Sequence, residues 1–339
     1  MSGSRLDDAS VRTTSTMAIG VDVGGTKVAC GLVDLKGRVL ARNRKAIDIS
    51  DGDGRCPAEQ IAGMIQDLAD IARVTGNPVV ACGVVVPAVV DRETGKVVWA
   101  PNIPGWWNFP LGEFLRSKTE IPVYLDHDGP AAVAGEQWVG AARGLSHVVF
   151  IIIGTGIGAG LILGGRVYRG SQGIAGGIGW SCMESDAIDA PLYRGKGFLE
   201  TVAAGPGIAR EVRDEILRGK TSLALEISGG DPGAITAEAV FAAAARGDEV
   251  AREVLARAVR YIGMATANLV STFNPEIVVL GGGVGRHLGP YLDDIKHVVE
   301  MTAQPQAGAV VRVVTAELGD DAGVIGAAKI AFEESGVLS

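Results

Sequence analysis

Two short glycine turns, each held between apolar strands and about 130 residues apart, constrain this chain more than any other feature. The first lies in Ala18–Asp34, AIGVDVGGTKVACGLVD. An apolar run ends in Asp22, Gly24 and Gly25 follow with Thr26 and Lys27, and a second apolar run leads to Asp34. Two β-prone runs around such a turn read as a hairpin. Glycines at the tip let backbone N–H groups approach an anion, while Thr26 and Lys27 add a hydroxyl and a cation. Asp22, at the end of a buried strand, is placed to face a metal-bound polyphosphate. The turn is not a P-loop, because no G-x-x-x-x-G-K-[ST] is present. An ordinary hairpin would account for this stretch alone. A second copy shifts the balance: Val149–Tyr168, VFIIIGTGIGAGLILGGRVY, sets Gly154, Thr155 and Gly156 in the same frame. The repetition predicts two halves facing one nucleotide.

At 339 residues the chain is long enough for two domains with real cores. A hydrophobic content of 47% with 21% charged residues is globular composition. The net charge of −8, with no basic run, argues against a nucleic-acid partner. Cys30, Cys56, Cys82 and Cys182 lack C-x-x-C spacing and read as free thiols of a reducing, cytoplasmic compartment. No stretch of about 18 uncharged apolar residues suggests a membrane span. Residues 1–17 lack an apolar signal core and read as a disordered leader, too short for a helix-turn-helix.

Along the chain, Arg38–Asp48 reads as a third strand and Ala58–Val74 as an amphipathic helix. Val79–Val86 is a strand buried on both faces, ended by Pro87. Val97–Trp99 is a short strand, residues 101–110 a loop holding Asn102, Trp106 and Trp107, and Leu111–Lys118 a short helix. Val123–Leu125 is a strand stopping at Asp126-His127-Asp128, and a helix follows over Gly129–Ala142 with Pro130 in its first turn. Gly170–Arg194 is irregular, and Phe198–Gly219 holds helices broken around Gly205-Pro206-Gly207. Thr221–Pro232 reads as a loop, and helices open at Thr236 and run over Glu249–Thr272. Ile277–Leu280 is a buried strand ending in Gly281-Gly282-Gly283. A helix over His287–Met301, a strand over Ala309–Val314 and a helix over Ala322–Glu334 complete the pattern. Strands alternating with helices, with glycines at strand ends, give an α/β class with ligands beyond the carboxyl ends of the strands. The domain boundary is expected near Asp126.

Asp128 is the candidate base: it follows a buried strand and opens a helix, where amides and the dipole favour a carboxylate. The same position suits a plain helix N-cap, and Asp126 is a rival. Gly281, Gly282 and Gly283 would let adenine or ribose lie against bare backbone, or would simply make a tight turn.

These residues together resemble the ROK family of sugar kinases. The motifs are D-V-G-G-T-K at Asp22–Lys27, G-T-G-I-G-A-G at Gly154–Gly160, N-P-E-I-V-V-L-G-G-G at Asn274–Gly283 and G-D-D-A-G-V-I-G-A-A at Gly319–Ala328. The resemblance spans roughly residues 18–335. It implies the two-domain, actin-like (hexokinase-type) ATPase fold with duplicated glycine-hairpin phosphate sites. Residues 18–126, joined by the C-terminal segment of about 318–339, would form a smaller α/β domain, and 127–317 a larger one. H-D-G-P-A-A-V-A-G-E at His127–Glu136 looks like the family's N-D-x-N-A-A-x-x-G-E, which puts Asp128 on the catalytic base. A-P-N-I-P-G-W at Ala100–Trp106 is similar to the sugar-side loop, with Asn102 as a contact.

The departures fall on the sugar side. The family carries G-x-x-G-x-A-G-E-x-G-H after the second hairpin, whose Glu and His bind ring hydroxyls and whose His also holds zinc. Here Gly177 and Trp180 stand at those positions. The zinc cluster C-x-C-G-x-x-G-C-x-E is replaced by Arg194–Glu200, with Phe198 at a cysteine position and Glu200 retained. His127 and Pro130 stand where the family has Asn.

The resemblance thus implies an ATP- and Mg²⁺-dependent kinase, with no structural zinc, acting on a primary hydroxyl of a sugar-like molecule. Asp128 would be catalytic, with Asn102, His127, Trp180 and Glu200 at the substrate. Asp22, Gly24, Gly25, Thr26, Lys27, Gly154, Thr155, Gly156, Gly205 and Gly281–Gly283 would hold the nucleotide. With Glu and His gone, a modified ring (an amino sugar or cyclitol) is expected rather than glucose, stacked on Trp180 with Trp106 or Trp107. Trp180 and Phe198 are expected to form the apolar core that replaces the zinc. A homodimer is expected. The alternative is a catalytically inactive ligand-binding or regulatory member; a DNA-binding repressor would need a winged helix that residues 1–17 do not supply.

Overall fold

The structure is a computed structural model, which describes residues 15–50, 52–100 and 102–338. Thirteen strands are present among them: β1 (Met17–Val23), β2 (Lys27–Asp34), β3 (Val39–Ala46), β4 (Val79–Val86), β5 (Val89–Asp91), β6 (Lys96–Trp99), β7 (Trp107–Phe109), β8 (Val123–His127), β9 (Val148–Ile153), β10 (Ile157–Leu163), β11 (Arg166–Tyr168), β12 (Ile277–Gly281) and β13 (Arg312–Thr315). The helices are α1 (Arg55–Val74), α2 (Leu111–Thr119), α3 (Asp128–Val139), α4 (Phe198–Ala203), α5 (Gly205–Leu217), α6 (Leu223–Ile227), α7 (Ala237–Ala245), α8 (Glu249–Phe273), α9 (Gly282–Gly285), α10 (Leu292–Thr302), α11 (Pro305–Val310) and α12 (Ala322–Glu334).

The strands form two five-stranded sheets with the same plan. One runs β3-β2-β1-β4-β8 and the other β11-β10-β9-β12-β13. In each, an antiparallel meander of three strands is extended by two parallel strands. The apolar sequence of β1, β4, β9 and β12 follows from burial on both faces. Ile61, Met64, Ile65 and Leu68 of α1 pack into the core of the first sheet. A core of α5, α7, α8 and α10 covers one face of the second. A third, small sheet, β5-β6-β7, leaves the first between β4 and α2.

Helix α12 returns to the first sheet, packing Val324, Ala328 and Phe332 against Ala18, Ala29 and Ala81. It lies against bare backbone: a Cβ on Gly20 or Gly83 would sit 1.9 Å from the carbonyl oxygen of Val324 or Ala327, and one on Gly326 would sit 1.8 Å from that of Ala131 in α3. These glycines are fixed by close approach, not by turn geometry.

Several expectations are corrected. Of the expected leader, residues 1–14 lie outside the described residues, but Ser15 donates its N–H to Asn77 Oδ1 at 2.9 Å and Met17 is buried in β1. Strand β8 runs on through Asp126 and His127. Residues 101–110 include β7, and β5 precedes them. The expected loop Thr221–Pro232 contains α6, capped by Ser222 and tied by Leu223 N–H to Asp248 Oδ2 at 2.6 Å. The expected strand Ala309–Val314 is half wrong. Gln304 caps a helix that Pro305 opens, so Ala309 and Val310 are helical and the strand begins at Arg312. Gly289-Pro290 hold a 3₁₀ turn, so the helix expected from His287 starts at Leu292.

Candidate active site

An open cleft of about 1410 Å³ is lined by residues of both large sheets. The ends of β1 and β8 bring Asp22 and Asp128 to it, and both glycine hairpins and the Gly281–Gly283 turn open onto it.

The Asp126 ambiguity resolves on hydrogen bonding. Asp126 is fully buried, and its Oδ2 accepts from Arg169 Nη2 at 2.6 Å and Nε at 3.0 Å, with Arg92 Nε at 3.3 Å. Its Oδ1 accepts the His127 N–H at 2.8 Å. Both oxygens are committed, and the residue is structural. Asp128 accepts the Gly129 N–H on Oδ1 at 2.8 Å and makes no other hydrogen bond to a described residue. Burial raises its pKa above the ordinary carboxylate value. Asp22 responds to the same environment: burial and then the charge of Asp128 push it up to about 6. His127 lines the same cleft; burial lowers its pKa, and its buried Nε2 has no partner among the described residues.

The two hairpin tips are built differently. In the first, Gly24 N–H donates to Lys27 O at 2.8 Å, and Gly24, Gly25 and Lys27 line the cleft. Thr26 is exposed at the tip but lies outside that lining. In the second, Gly154 N–H donates to Gly156 O at 2.9 Å, and Thr155 stands exposed in the cleft. Gly205 does not reach the cleft: its N–H donates to Gly154 O at 2.8 Å, supporting the hairpin from behind. Glu200 lines the cleft, but its Oε2 accepts the Ile157 N–H at 3.0 Å. Gly282 has φ +86°, and a Cβ there would lie 2.5 Å from Ile153 O, so the third turn also requires its glycine.

On the other side, Asn102 stands beside Gly25 and Trp180 is 62% exposed in the cleft. That exposure corrects the expectation that Trp180 is core. The buried residue is Phe198, packed on Tyr193 at 4.9 Å and edge-on to Tyr261 at 5.4 Å. Tyr261 in turn donates its hydroxyl to Glu184, and its pKa is pushed up to about 12 by burial and that carboxylate. Trp106 cannot stack on a ligand, being buried with Nε1 donating to Gly54 O at 2.9 Å, and Trp107 lies outside the cleft lining. Among the described residues no group of three or more His, Cys, Asp or Glu gathers as a metal cage, and the free thiol of Cys182 is exposed. No helix among them is long and apolar enough to cross a membrane.

Sequence reasoning missed Trp99, Arg44, Lys196, Arg210, Arg213 and Arg286, which all line the cleft. Two signals could have found some of them. Arg44 pairs with Ala29, seven residues after Asp22 on the hairpin. Gly207, Arg210, Asp214 and Leu217 recur at helical spacing along α5.

The comparisons bear on family and fold. The ROK family model matches residues 18–334. The glucokinase of Halalkalibacterium halodurans is 36% identical over 312 residues, covering 91% of this chain and 92% of the relative. The solved ROK family glucokinase of Streptomyces griseus, in complex with glucose and AMPPNP, superimposes with a TM-score of 0.79 at 30% identity, over 94% of this chain and 99% of that one. A ROK family transcriptional regulator, a homolog of the E. coli MLC protein, reaches 0.82 at 25% identity, over 95% of this chain and 78% of that one. The chain therefore belongs to the ROK family and has its two-domain, actin-like ATPase fold.

Proposed function

We propose that this chain is a kinase that transfers the γ-phosphoryl group of ATP to a primary hydroxyl of a sugar-like ring. The observation that carries the reading is Asp128. It is a half-buried carboxylate with one oxygen free of hydrogen bonds to described residues, held at a helix start in the cleft onto which both glycine hairpins open. The raised pKa suits a base that must take a proton from a weakly acidic alcohol. As the acceptor oxygen attacks phosphorus, its proton passes to Asp128 and ADP departs with the bridging oxygen. The tip N–H groups not already paired within the hairpins, together with Lys27, would serve the phosphate charge, and Gly281–Gly283 would leave room for the nucleoside against bare backbone. Closure of the two sheets around the ligands excludes water, which protects ATP from hydrolysis. That the Streptomyces griseus relative is in complex with glucose and AMPPNP supports a cleft that takes a sugar and ATP.

The residues present suit a Mg²⁺ ion brought in with the nucleotide. Asp22 offers oxygen donors in a site where burial, and then the neighbouring Asp128 carboxylate, hold its pKa up, and one or two carboxylates plus phosphate oxygens is the usual Mg²⁺ arrangement. When bound, the ion neutralises phosphate charge.

For the acceptor we favour a modified ring, an amino sugar or a cyclitol, over glucose. Gly177 offers no side chain to hydrogen-bond a ring hydroxyl, and Trp180 presents a flat indole to the cleft. Asn102, His127 and Glu200 supply the remaining polar groups. Losing two charged partners for hydroxyls costs several kcal/mol, roughly 10²-fold or more in specificity. The same absence motivates a second reading, a ligand-binding regulator without turnover, in keeping with the regulator among the structural neighbours. A coupled assay for ADP release over glucose, N-acetylmannosamine, fructose, 3-amino-3-deoxyglucose and valiolone-type cyclitols separates these. Acceptor-dependent ADP release is expected, greatest on a modified ring. Glucose emerging best by tenfold or more would overturn the substrate choice, and ligand binding with no ADP release would establish the regulator.

A further inference from the structure

Two neighbouring acids at the start of α12 hold their arginines in different ways. Asp321 lies outside the cleft lining and is gripped by the fork of Arg42, with Nη2 at 2.7 Å from Oδ2 and Nε at 3.4 Å from Oδ1. Asp320 lies in the lining, and so do its two partners, Arg44 and Arg286. Each reaches it through a single nitrogen. Arg44 Nη1 stands 3.3 Å from Oδ2, and Arg286 Nη1 stands 3.4 Å from Oδ1. Both distances exceed the roughly 2.7–2.9 Å of a strong charged hydrogen bond. Neither arginine side chain makes another hydrogen bond to a described residue, and all three side chains are about half exposed. Ion pairs this open contribute little to stability.

The chain brings the two arginines from different sheets. Arg42 and Arg44 are two apart on β3 and share a face, while Asn43 between them turns the other way and donates to Asp67 of α1 at 3.2 Å. With α1 on that face, Arg42 and Arg44 are left to the face on which α12 packs. Arg286 comes from the second sheet, at the end of the short helix that follows the Gly281–Gly283 turn. One carboxylate therefore carries two guanidinium groups, and the trio keeps a net positive charge.

Asp320 also lies close to the acid of the first hairpin. A Cβ on Gly323, three residues further on, would sit 2.4 Å from Asp22 Oδ2, so the Asp22 carboxylate rests against the first turn of α12. After burial, Asp128 and Lys27, the charges that move the Asp22 pKa are those of Arg44, which lowers it, and Asp320, which raises it.

We propose that Arg44 and Arg286 form a clamp for the nucleotide phosphates, and that Asp320 holds the pair in place until the phosphates take it over. A phosphate chain brings more charge than one carboxylate, and its oxygens accept from a guanidinium fork side by side. The single, long contacts to Asp320 are the ones that give way. An anion that engages both arginines also ties the two sheets together across the cleft. The inference rests on the nucleotide half of the reading above and assigns further residues to it.

The test is calorimetric. ADP and adenosine are titrated into the wild-type protein and into Arg44→Gln, Arg286→Gln and Asp320→Asn. Each arginine variant should bind ADP about tenfold more weakly and adenosine within about twofold of the wild type. Asp320→Asn frees both guanidinium groups and should bind ADP about threefold more tightly, a gain that should shrink as NaCl rises from about 50 to about 500 mM. A damaged fold would not produce that gain. Equal losses for ADP and adenosine in the arginine variants, or ADP affinity unchanged in both, would overturn the clamp and leave the kinase reading intact. Weaker ADP binding by Asp320→Asn would overturn the holding role and place its carboxylate in the nucleotide site itself. A wild-type protein that binds neither ADP nor ATP would instead remove the nucleotide reading, and the clamp with it.

Discussion

The two glycine hairpins follow one pattern but are supported in different ways. Behind the second tip, Gly205 N–H holds Gly154 O, Glu200 holds the Ile157 N–H, and Gly282 packs against Ile153 O. The first tip is steadied by its own ladder: Gly24 N–H meets Lys27 O, and Thr26 O accepts the Ile47 N–H from the end of β3. Their acids differ as well. The strand of the first hairpin ends in Asp22, whose pKa burial and Asp128 raise against the partial offset of Lys27 and Arg44, whereas the second borrows Glu200, already hydrogen-bonded. A repeat in sequence is therefore not a repeat in mechanics. The second tip is a fixed seat, and the first can adjust to what binds.

Asp128 lines the same cleft as both hairpins but belongs to neither, so its loss should spare nucleotide binding and remove turnover. Asp128→Asn is expected to lower kcat by about 10²- to 10⁴-fold while ADP affinity, measured by calorimetry, stays near that of the wild type. Near-normal turnover in this variant would take the base role from Asp128.

Two residues away, Asp126 should behave in the opposite sense. It joins β8 of the first sheet to Arg169, which follows β11 of the second. Asp126→Asn leaves two guanidinium groups facing a buried amide and should cost on the order of 3 kcal/mol of stability in chemical denaturation. An unchanged midpoint would mean that the sheets are joined by packing alone.

That contrast between Asp126 and Asp128 also marks what the sequence could reveal. The strand-glycine-strand repeats, the buried strands and α12 were legible because their apolar periods and turn glycines are local signals. The choice between two carboxylates was not, because it depends on Arg92 and Arg169, which come from distant elements. Trp180 was given both a place at the substrate and a place in a core, because an indole carries the same apolar signal whether it faces a core or a cleft; the structure has it exposed in the cleft. Trp99 was passed over, although its strand was read, because its place in the small sheet depends on pairing with β5 and β7, three-residue strands that lack a period to read. Gly205 looked like a phosphate donor until its N–H was traced to Gly154.

Asp22 gives the comparison a pH readout. Its folded pKa of about 6 lies above the ordinary 3.8, so its contribution to stability is fully present below about pH 4 and is lost as pH rises through 6. At neutral pH, without nucleotide or divalent cation, the ionised group should cost on the order of 3 kcal/mol. Asp22→Asn should therefore be more stable than the wild type at pH 7 and should flatten the stability profile between pH 4 and 6. Glu200→Gln, at the second hairpin, should produce no such gain. Equal gains from both would show that the two acids are not differently compensated.

The smallest expected effect tests the mechanical difference directly. A Cβ on Gly156 would lie 2.5 Å from Glu200 Oε2, and that oxygen cannot swing away without releasing the Ile157 N–H. A Cβ on Gly25 meets nothing nearer than Asn102 Cβ at 3.4 Å, an ordinary contact with a side chain that can move. Gly156→Ala should therefore raise KM for ATP about tenfold, close to 1.4 kcal/mol, and Gly25→Ala less than about threefold. Both variants should keep kcat at saturating ATP within a few-fold, because neither side chain reaches the acceptor oxygen. Similar KM values in the two variants would mean that the first tip is as fixed as the second. A larger effect at Gly25 would reverse the assignment, making the first hairpin the rigid seat and the second the one that adjusts.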